Sequence, residues 1–322
     1  MSAPPDLVTL PDVEVAAARI SGVVRRTPLL STSWGRRESP LHLKAECLQV
    51  GGSFKARGAT NAITALNDEE RARGVITHSS GNHAQGVARA ARDLGVQATI
   101  VMPHQSPAVK RAATEALGAE VVLVDIAERA AEVDRIRART GAVFVPPFDD
   151  LRVIAGQGTV GLEIVEDLPE PASVFVPVSG GGLISGIAVA VKARWPSVRV
   201  IGVEPELAGD LAEGFARAER VTWDTGRTGR TIADGLRVTA VGELNWRHIT
   251  ALVDDVVTVS EDQIADALRR IVLDSKLVAE PSGAVAVAGY LAHFEVVPEG
   301  PAVAIVSGGN VEPALLATLL SP

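Results

Sequence analysis

One lysine set among small residues, in Gly51-Gly52-Ser53-Phe54-Lys55-Ala56-Arg57-Gly58-Ala59, is the stretch of this sequence best suited to chemistry. An amine in such a setting can attack a carbonyl or take a proton. The nine residues also fit a surface turn with a solvated lysine, so other segments must decide. Three glycine-rich turns bear on the choice: Ser79-Ser80-Gly81-Asn82-His83, Ser179-Gly180-Gly181-Gly182 and Ser307-Gly308-Gly309-Asn310. Glycine lets main-chain N–H groups approach an anion closely, and a helix starting directly after the turn adds its positive end. Ser179 to Gly182 is the best phosphate cradle, although a tight strand-to-helix turn is its other reading. A dinucleotide fits less well, because no turn has the full GxGxxG spacing and no acidic residue follows at the expected interval.

Apolar spacing predicts the elements that hold these turns. A helix over 12–23 ends where Pro28 restrains Thr27 to extended geometry, and 41–46 alternates like a short strand. Ala59, Ala62, Ile63 and Leu66 give a helix after Lys55, so the lysine sits at a loop-to-helix junction. Strands over 75–78, 97–102, 120–124 and 143–145 alternate with helices over 84–94, 107–117 and 126–140. Helices over 156–166 and 183–192 flank a strand at 173–177. A strand over 198–203 leads into an irregular polar stretch over 206–235. A strand over 254–259, a helix over 261–273, another opening at Glu280-Pro281-Ser282-Gly283-Ala284 and a strand over 302–306 complete the chain. This alternation implies α/β architecture with parallel sheet and right-handed crossovers. All three glycine turns then fall at carboxyl ends of strands, where open α/β sheets bind ligands. Pro146-Pro147-Phe148-Asp149-Asp150 reads as the edge of a compact unit.

A length of 322 residues suggests about two domains. With 47% apolar and 22% charged residues the composition is that of a folded globular protein. A net charge of −8 without a clustered basic face argues against nucleic acid, and 3% aromatics supply no stacking platform for single strands. The one cysteine, Cys47, permits no intramolecular disulfide and no metal-binding cysteine pair, which fits a packing role and a reducing compartment. Met1 to Leu10 has no signal-peptide pattern, and no apolar run approaches the about 20 residues that span a bilayer, so a cytoplasmic, non-membrane protein is expected.

A phosphate cradle together with a lysine among small residues suits pyridoxal phosphate, whose aldehyde links to an amine. Leu43-Lys44-Ala45-Glu46, Gly52 to Ala59, Ser79 to His83, Ser179 to Gly182, Ile232-Ala233-Asp234-Gly235 and Ser307 to Asn310 arrive in the order found in the pyridoxal-phosphate-dependent serine/threonine dehydratase and serine racemase family. The chain resembles that family over nearly its whole length. The resemblance implies the two-domain tryptophan-synthase β-subunit fold, or fold type II, with parallel-rich sheets flanked by helices. Residues 1–73 and 150–322 would form the large cofactor-binding domain and 74–149 the small substrate-binding domain. It also implies a homodimer.

Carried over by resemblance, Lys55 is the Schiff-base lysine and the base at the substrate Cα, and Phe54 packs on the cofactor ring. Asn82 donates to the ring hydroxyl oxygen. Ser179, Gly180, Gly181 and Gly182 hold the phosphate, while Ser79, Ser80, Gly81, Asn82 and His83 surround the substrate carboxylate. For His83, a structural hydrogen bond at the helix start is the alternative. Ser307 faces the pyridine nitrogen, and a neutral hydroxyl does not keep that nitrogen protonated as a carboxylate would, which makes the ring a weaker electron sink and favours β-elimination. Ser80 matches the serine that reprotonates Cα from the opposite face in racemases, and it also occurs in dehydratases. Glu204, the Ala208 carbonyl and Asp210 match the family's site for a divalent cation (Mg²⁺, Mn²⁺ or Ca²⁺), where the residues alone suggest an acidic surface loop.

Ser179 stands where many relatives have glycine. Pro322 follows the third turn so soon that the regulatory domain of biosynthetic threonine dehydratases, and feedback by isoleucine, are not expected. The resemblance implies an ammonia-lyase for L-threonine, L-serine or a similar β-hydroxy amino acid, giving a 2-oxo acid and ammonium. Serine racemase, alone or combined with the lyase, a 3-hydroxyaspartate dehydratase, and a non-catalytic cofactor or amino-acid binder are the competing expectations. The residues around Pro147, Gly156 and Asp234 to Arg237 are expected to line the side-chain pocket.

Overall fold

Val174, Phe175 and Val176, then Val200, Ile201 and Val203, then Val303, Ala304 and Ile305 are buried runs in which successive side chains on both faces are covered. That pattern belongs to parallel strands with helices on each side. The computed structural model describes residues 7–36, 39–293 and 298–321; Met1 to Asp6, most of the segment that lacks a signal-peptide pattern, lie outside them. Its strands are β1 (Leu29–Arg36), β2 (Ser39–Lys44), β3 (Val75–His78), β4 (Ala98–Pro103), β5 (Glu120–Val124), β6 (Val143–Phe144), β7 (Ser173–Pro177), β8 (Arg199–Pro205), β9 (Asp255–Val259) and β10 (Ala302–Ile305). They form a six-stranded sheet in the order β1-β2-β10-β7-β8-β9 and a four-stranded sheet in the order β5-β4-β3-β6. All pairings are parallel except β1 with β2.

Two glycine contacts bring the central helices together. A Cβ on Gly186, in the helix Gly182–Arg194, would collide with the Gly158 main chain in the helix Leu151–Asp167. A Cβ on Gly156 would lie 2.7 Å from the Gly58 Cα in the helix Lys55–Thr64. Gly156 is therefore a buried packing residue and not part of a side-chain pocket, which corrects the sequence-based expectation.

Four further elements depart from the sequence pattern. The edge strand β1 was hidden behind Pro28, whose helix-stopping signal reads as a loop. The stretch expected to be irregular contains the helix Asp210–Arg217, which starts with an acidic first turn and buries Leu211, and the short helix Thr225–Thr228. The helix Glu243–Leu252 begins at Gly242, whose neighbour Glu243 receives its cap from Asp149, a residue distant in sequence. Among the described residues no helix is long and apolar enough to cross a membrane.

Candidate active site

Lys55 is the first residue of its helix, and three main-chain contacts fix that start. Ser53 bridges Gly308 in antiparallel fashion, the Phe54 N–H donates to the Ser307 carbonyl at 3.1 Å, and the Gly309 N–H donates to the Gly52 carbonyl at 2.9 Å. The lysine stretch and the third glycine turn are thus stitched together. Gly52 has φ +75°, and a Cβ there would collide with the Asn310 amide, so glycine is required on two counts. Behind the helix, the buried Arg57 donates to Glu46 at 2.8 Å and to Glu163 at 2.6 Å, and Lys44 reaches Glu163 at 2.6 Å. These four charges balance one another and tie the helix to β2 and to Leu151–Asp167.

The Lys55 amine donates to the Pro147 carbonyl at 2.7 Å and lies 5.1 Å from the centre of the Phe54 ring. Lys55 is half-buried as a residue, and burial of its amine draws the pKa down to about 8. An amine so placed is partly neutral near pH 7, as a base or nucleophile must be.

The turn Ser79 to His83 follows β3 and opens the helix Asn82–Asp93, with Gly81 at its cap and the Ser79 hydroxyl accepting from the Gly81 N–H at 3.2 Å. Half-buried Ser80 lies within this turn. The helix packs closely on Lys55: a Cβ at Gly86 would stand 3.2 Å from the Lys55 carbonyl carbon. His83 is buried and its Nε2 meets the Val145 carbonyl at 2.9 Å. A carbonyl only accepts, so Nε2 carries the proton. Burial, reinforced by the charge of Lys55, lowers its pKa to about 3 and keeps the ring neutral. The ring has no second proton to offer a substrate carboxylate, so the structural hydrogen bond accounts for the imidazole, and only the His83 main-chain N–H can serve as a donor there.

Asn82 is held at both ends. Its amide N–H donates to Glu280 Oε1 at 2.5 Å, and its Oδ1 accepts from Asn310 Nδ2 at 2.8 Å. Sequence reasoning assigned no role to Glu280, Asn310 or Phe148. A glutamate directly before an apolar helix was the available signal for the first, and the turn Gly309-Asn310 for the second.

Ser179 to Gly182 occupies the turn between β7 and its helix. The Gly180 carbonyl accepts from the Gly242 N–H at 3.0 Å and from Asn245 Nδ2 at 2.8 Å. Because a trans peptide sets N–H opposite to C=O, the Gly181 N–H points the other way, and Gly181 itself adopts φ +91°. The first N–H groups of the helix have no intrahelical acceptor. The Ser179 Oγ is buried without a protein partner. A Cβ on Gly180 would collide with the Phe148 ring, so the residue next to Pro147 walls this turn. Outward N–H groups, an unsatisfied hydroxyl and a nearby desolvated amine fit pyridoxal phosphate. Ser307, after β10, is buried, and its hydroxyl donates to the Ser282 carbonyl over 3.4 Å, a weak bond.

Asp234, in the segment expected to face substrate, meets Lys110 at 2.9 Å, which links the loop 231–237 to the helix Ala108–Glu115. Glu204, Ala208 and Asp210 form a separate cluster at the end of β8. Both carboxylates and Ala208 are buried. Glu204 accepts the main-chain N–H groups of Leu211 at 3.3 Å and Ala212 at 2.8 Å, and Asp210 Oδ2 has no protein partner. Burial and the charge of Asp210 push Glu204 well above the usual carboxylate range, and burial raises Asp210 to about 7. Two buried carboxyls that share one cluster suit a hard cation, although among the described residues no three His, Cys, Asp or Glu side chains group for a metal.

A family model described as pyridoxal-phosphate dependent enzyme matches residues 20–308. An L-threonine ammonia-lyase of Thermotoga maritima is 48% identical over 95% of this chain and 76% of its own. A serine racemase of Oryza sativa is 41% identical over 94% of this chain and 91% of its own. Among solved structures, maize serine racemase superimposes with a TM-score of 0.91 at 40% identity, covering 97% of this chain and 96% of its own. A threonine deaminase from T.th. superimposes with a TM-score of 0.88 at 40% identity, covering 94% of this chain and 99% of its own.

Proposed function

The chain belongs to the pyridoxal-phosphate-dependent enzymes, and on that premise we propose that it is an ammonia-lyase converting L-threonine, L-serine or a similar β-hydroxy amino acid into a 2-oxo acid and ammonium. Its architecture is the α/β, tryptophan-synthase-β-like fold type II of that group. The single observation that carries the activity is the Lys55 amine, held at 2.7 Å by the carbonyl of Pro147, whose neighbour Phe148 walls the glycine cradle, and desolvated to a pKa of about 8. When bound, pyridoxal phosphate supplies an aldehyde for that amine and a ring that takes up electron density as a Cα proton leaves.

This chain's residues would do the rest. Ser179, Gly180, Gly181 and Gly182 hold the phosphate through N–H groups and one hydroxyl, and Phe54 lies along the ring. Asn82, held by Glu280 and Asn310, would offer its second amide proton to the ring oxygen. Ser307 would be the neutral partner of the ring nitrogen, a hydroxyl that does not hold a proton there as a carboxylate would. Ser79, Ser80, Gly81, Asn82 and the His83 main chain receive the substrate carboxylate at a helix start. Lys55, once neutral, takes the Cα proton. We assign residues 74–149, which contain the four-stranded sheet, to a small substrate-facing domain, and 1–73 with 150–322 to the cofactor-binding one. Mg²⁺, Mn²⁺ or Ca²⁺ would sit at Glu204, the Ala208 carbonyl and Asp210. A cytoplasmic homodimer completes the proposal, and light scattering of the purified protein tests its oligomeric part.

Serine racemisation is the second reading, favoured by the 0.91 TM-score to the maize racemase and by Ser80 in the turn that opens the helix packed on Lys55. Incubation with L-serine followed by chiral analysis separates the two. Oxo acid without D-serine supports the lyase alone, D-serine that disappears in Ser80→Ala supports racemisation, and neither product from serine, threonine or 3-hydroxyaspartate rejects both.

A further inference from the structure

Glu280 is a buried carboxyl whose hydrogen-bond partner is an amide and not a cation. It is 5% exposed and lies just ahead of the helix Pro281–His293. Its Oε1 stands 2.5 Å from Asn82 Nδ2, and its own N–H donates to the Gly308 carbonyl at 3.0 Å. A Cβ on Gly308 would collide with Oε1 and come 3.1 Å from Asn82 Nδ2, so the bare glycine is what lets carboxyl and amide meet. On the other side, Asn310 Nδ2 donates to Asn82 Oδ1 and to the Gly51 carbonyl, both at 2.8 Å. The amide of Asn82 is thereby fixed against flipping, with one N–H committed to Glu280 and the second uncommitted. Desolvating a carboxylate in this way is costly unless it is hydrogen-bonded and paired, or takes up a proton.

We propose that Glu280 is a positioning residue: through Asn82 it aims and strengthens the N–H that meets the cofactor's ring oxygen, and its ionisation tunes that donor. The proposal rests on the pyridoxal phosphate reading. An ionised carboxylate polarises the amide it accepts from and makes the remaining N–H a better donor. The groups that face Glu280 are Asn82, Asp234 of the loop 231–237, Lys110 of the helix Ala108–Glu115, and Cys47 of the turn Glu46–Leu48. Burial first, then repulsion from Asp234, raises its pKa to about 7, while the Asn82 N–H and Lys110 pull it down. Cys47 is itself pushed up to about 12 and stays a thiol. Glu280 therefore changes charge in the neutral range, being a proton-bearing acid on one side of it and a carboxylate on the other.

The test is a double-mutant cycle on pyridoxal phosphate affinity across neutral pH, read by the visible absorbance of the bound cofactor in wild type, Glu280→Gln, Asn82→Ala and the double variant, with Glu280→Asp as the charge-keeping control. Wild type and Glu280→Gln are expected to bind alike on the acid side of neutrality and to diverge about tenfold on the alkaline side, where only the wild type carries the charge. Glu280→Asp recovers part of the difference, and in the Asn82→Ala background Glu280→Gln changes little. Affinities of wild type and Glu280→Gln that coincide at every pH, or a Glu280→Gln effect equally large without Asn82, overturn the proposal while leaving the family reading intact. A wild type that takes up no pyridoxal phosphate overturns both.

Discussion

The Lys55 amine donates to the Pro147 carbonyl at 2.7 Å, and the next residue, Phe148, fills the space beside Gly180 that a side chain would need. One dipeptide from the segment between β6 and the helix Leu151–Asp167 therefore sets both the lysine and the wall of the glycine cradle. The site is assembled around this link.

Lys55 carries a cost in the protein without cofactor. An amine whose folded pKa lies below its unfolded value resists charging; the penalty is full below about 8 and fades as pH rises toward 10.5. Lys55→Met is expected to be more stable than wild type at neutral pH by at most a few kcal/mol, offset by the lost bond to Pro147, with the gap closing at alkaline pH. Denaturant unfolding of both cofactor-free proteins measures it. A Lys55→Met protein whose stability tracks wild type at every pH contradicts the desolvated amine.

Gly180→Ala should displace the Phe148 ring and weaken pyridoxal phosphate binding by tenfold or more, on the order of 1.4 kcal/mol. Phe148→Ala in the same chain makes room for the methyl group and should restore part of the affinity. Equilibrium titration with the cofactor checks both, and an unaffected Gly180→Ala would show that the cradle is not tight.

Arg57 neutralises Glu46 and Glu163 where water does not reach them well. Removing it in Arg57→Met leaves buried charge unpaired, with an expected loss of about 3–5 kcal/mol in urea unfolding. A loss below about 1 kcal/mol, the scale of an exposed pair, would mean that the network does not secure the lysine helix.

Glu204 and Asp210 hold protons more tightly when folded than when unfolded. Their contribution to stability is present at acid pH and lost as pH rises through about 7, the folded value for Asp210. In chelator, wild type should lose melting temperature over that range relative to Asp210→Asn, and Mg²⁺ should return it to wild type only. Parallel melting curves with no response to Mg²⁺, Mn²⁺ or Ca²⁺ would remove the cation from the proposal.

Local patterns carried much of this into the sequence. The alternation of Val75 to Leu94 announces a strand, a glycine turn and a helix because period and turn chemistry are local. Lys55, Asn82, Ser179 and Ser307 each sit in such a turn. What stayed hidden depends on contacts across the chain. Glu280 and Asn82 meet although they stand 198 positions apart, and Pro147 acquires its role only when the Lys55 amine arrives. Gly156 looked like a pocket residue, and only its meeting with Gly58 shows that it packs helices. His83 has a donor by composition, but Val145 has already taken it.

The most direct measurement is turnover by the purified protein loaded with pyridoxal phosphate, given L-threonine and L-serine and read as 2-oxo acid and ammonium released in equal amounts. The account predicts product with wild type and none with Lys55→Ala, which remains folded. Normal turnover by Lys55→Ala, or no product from threonine, serine or 3-hydroxyaspartate with a wild type that has bound its cofactor, would contradict it.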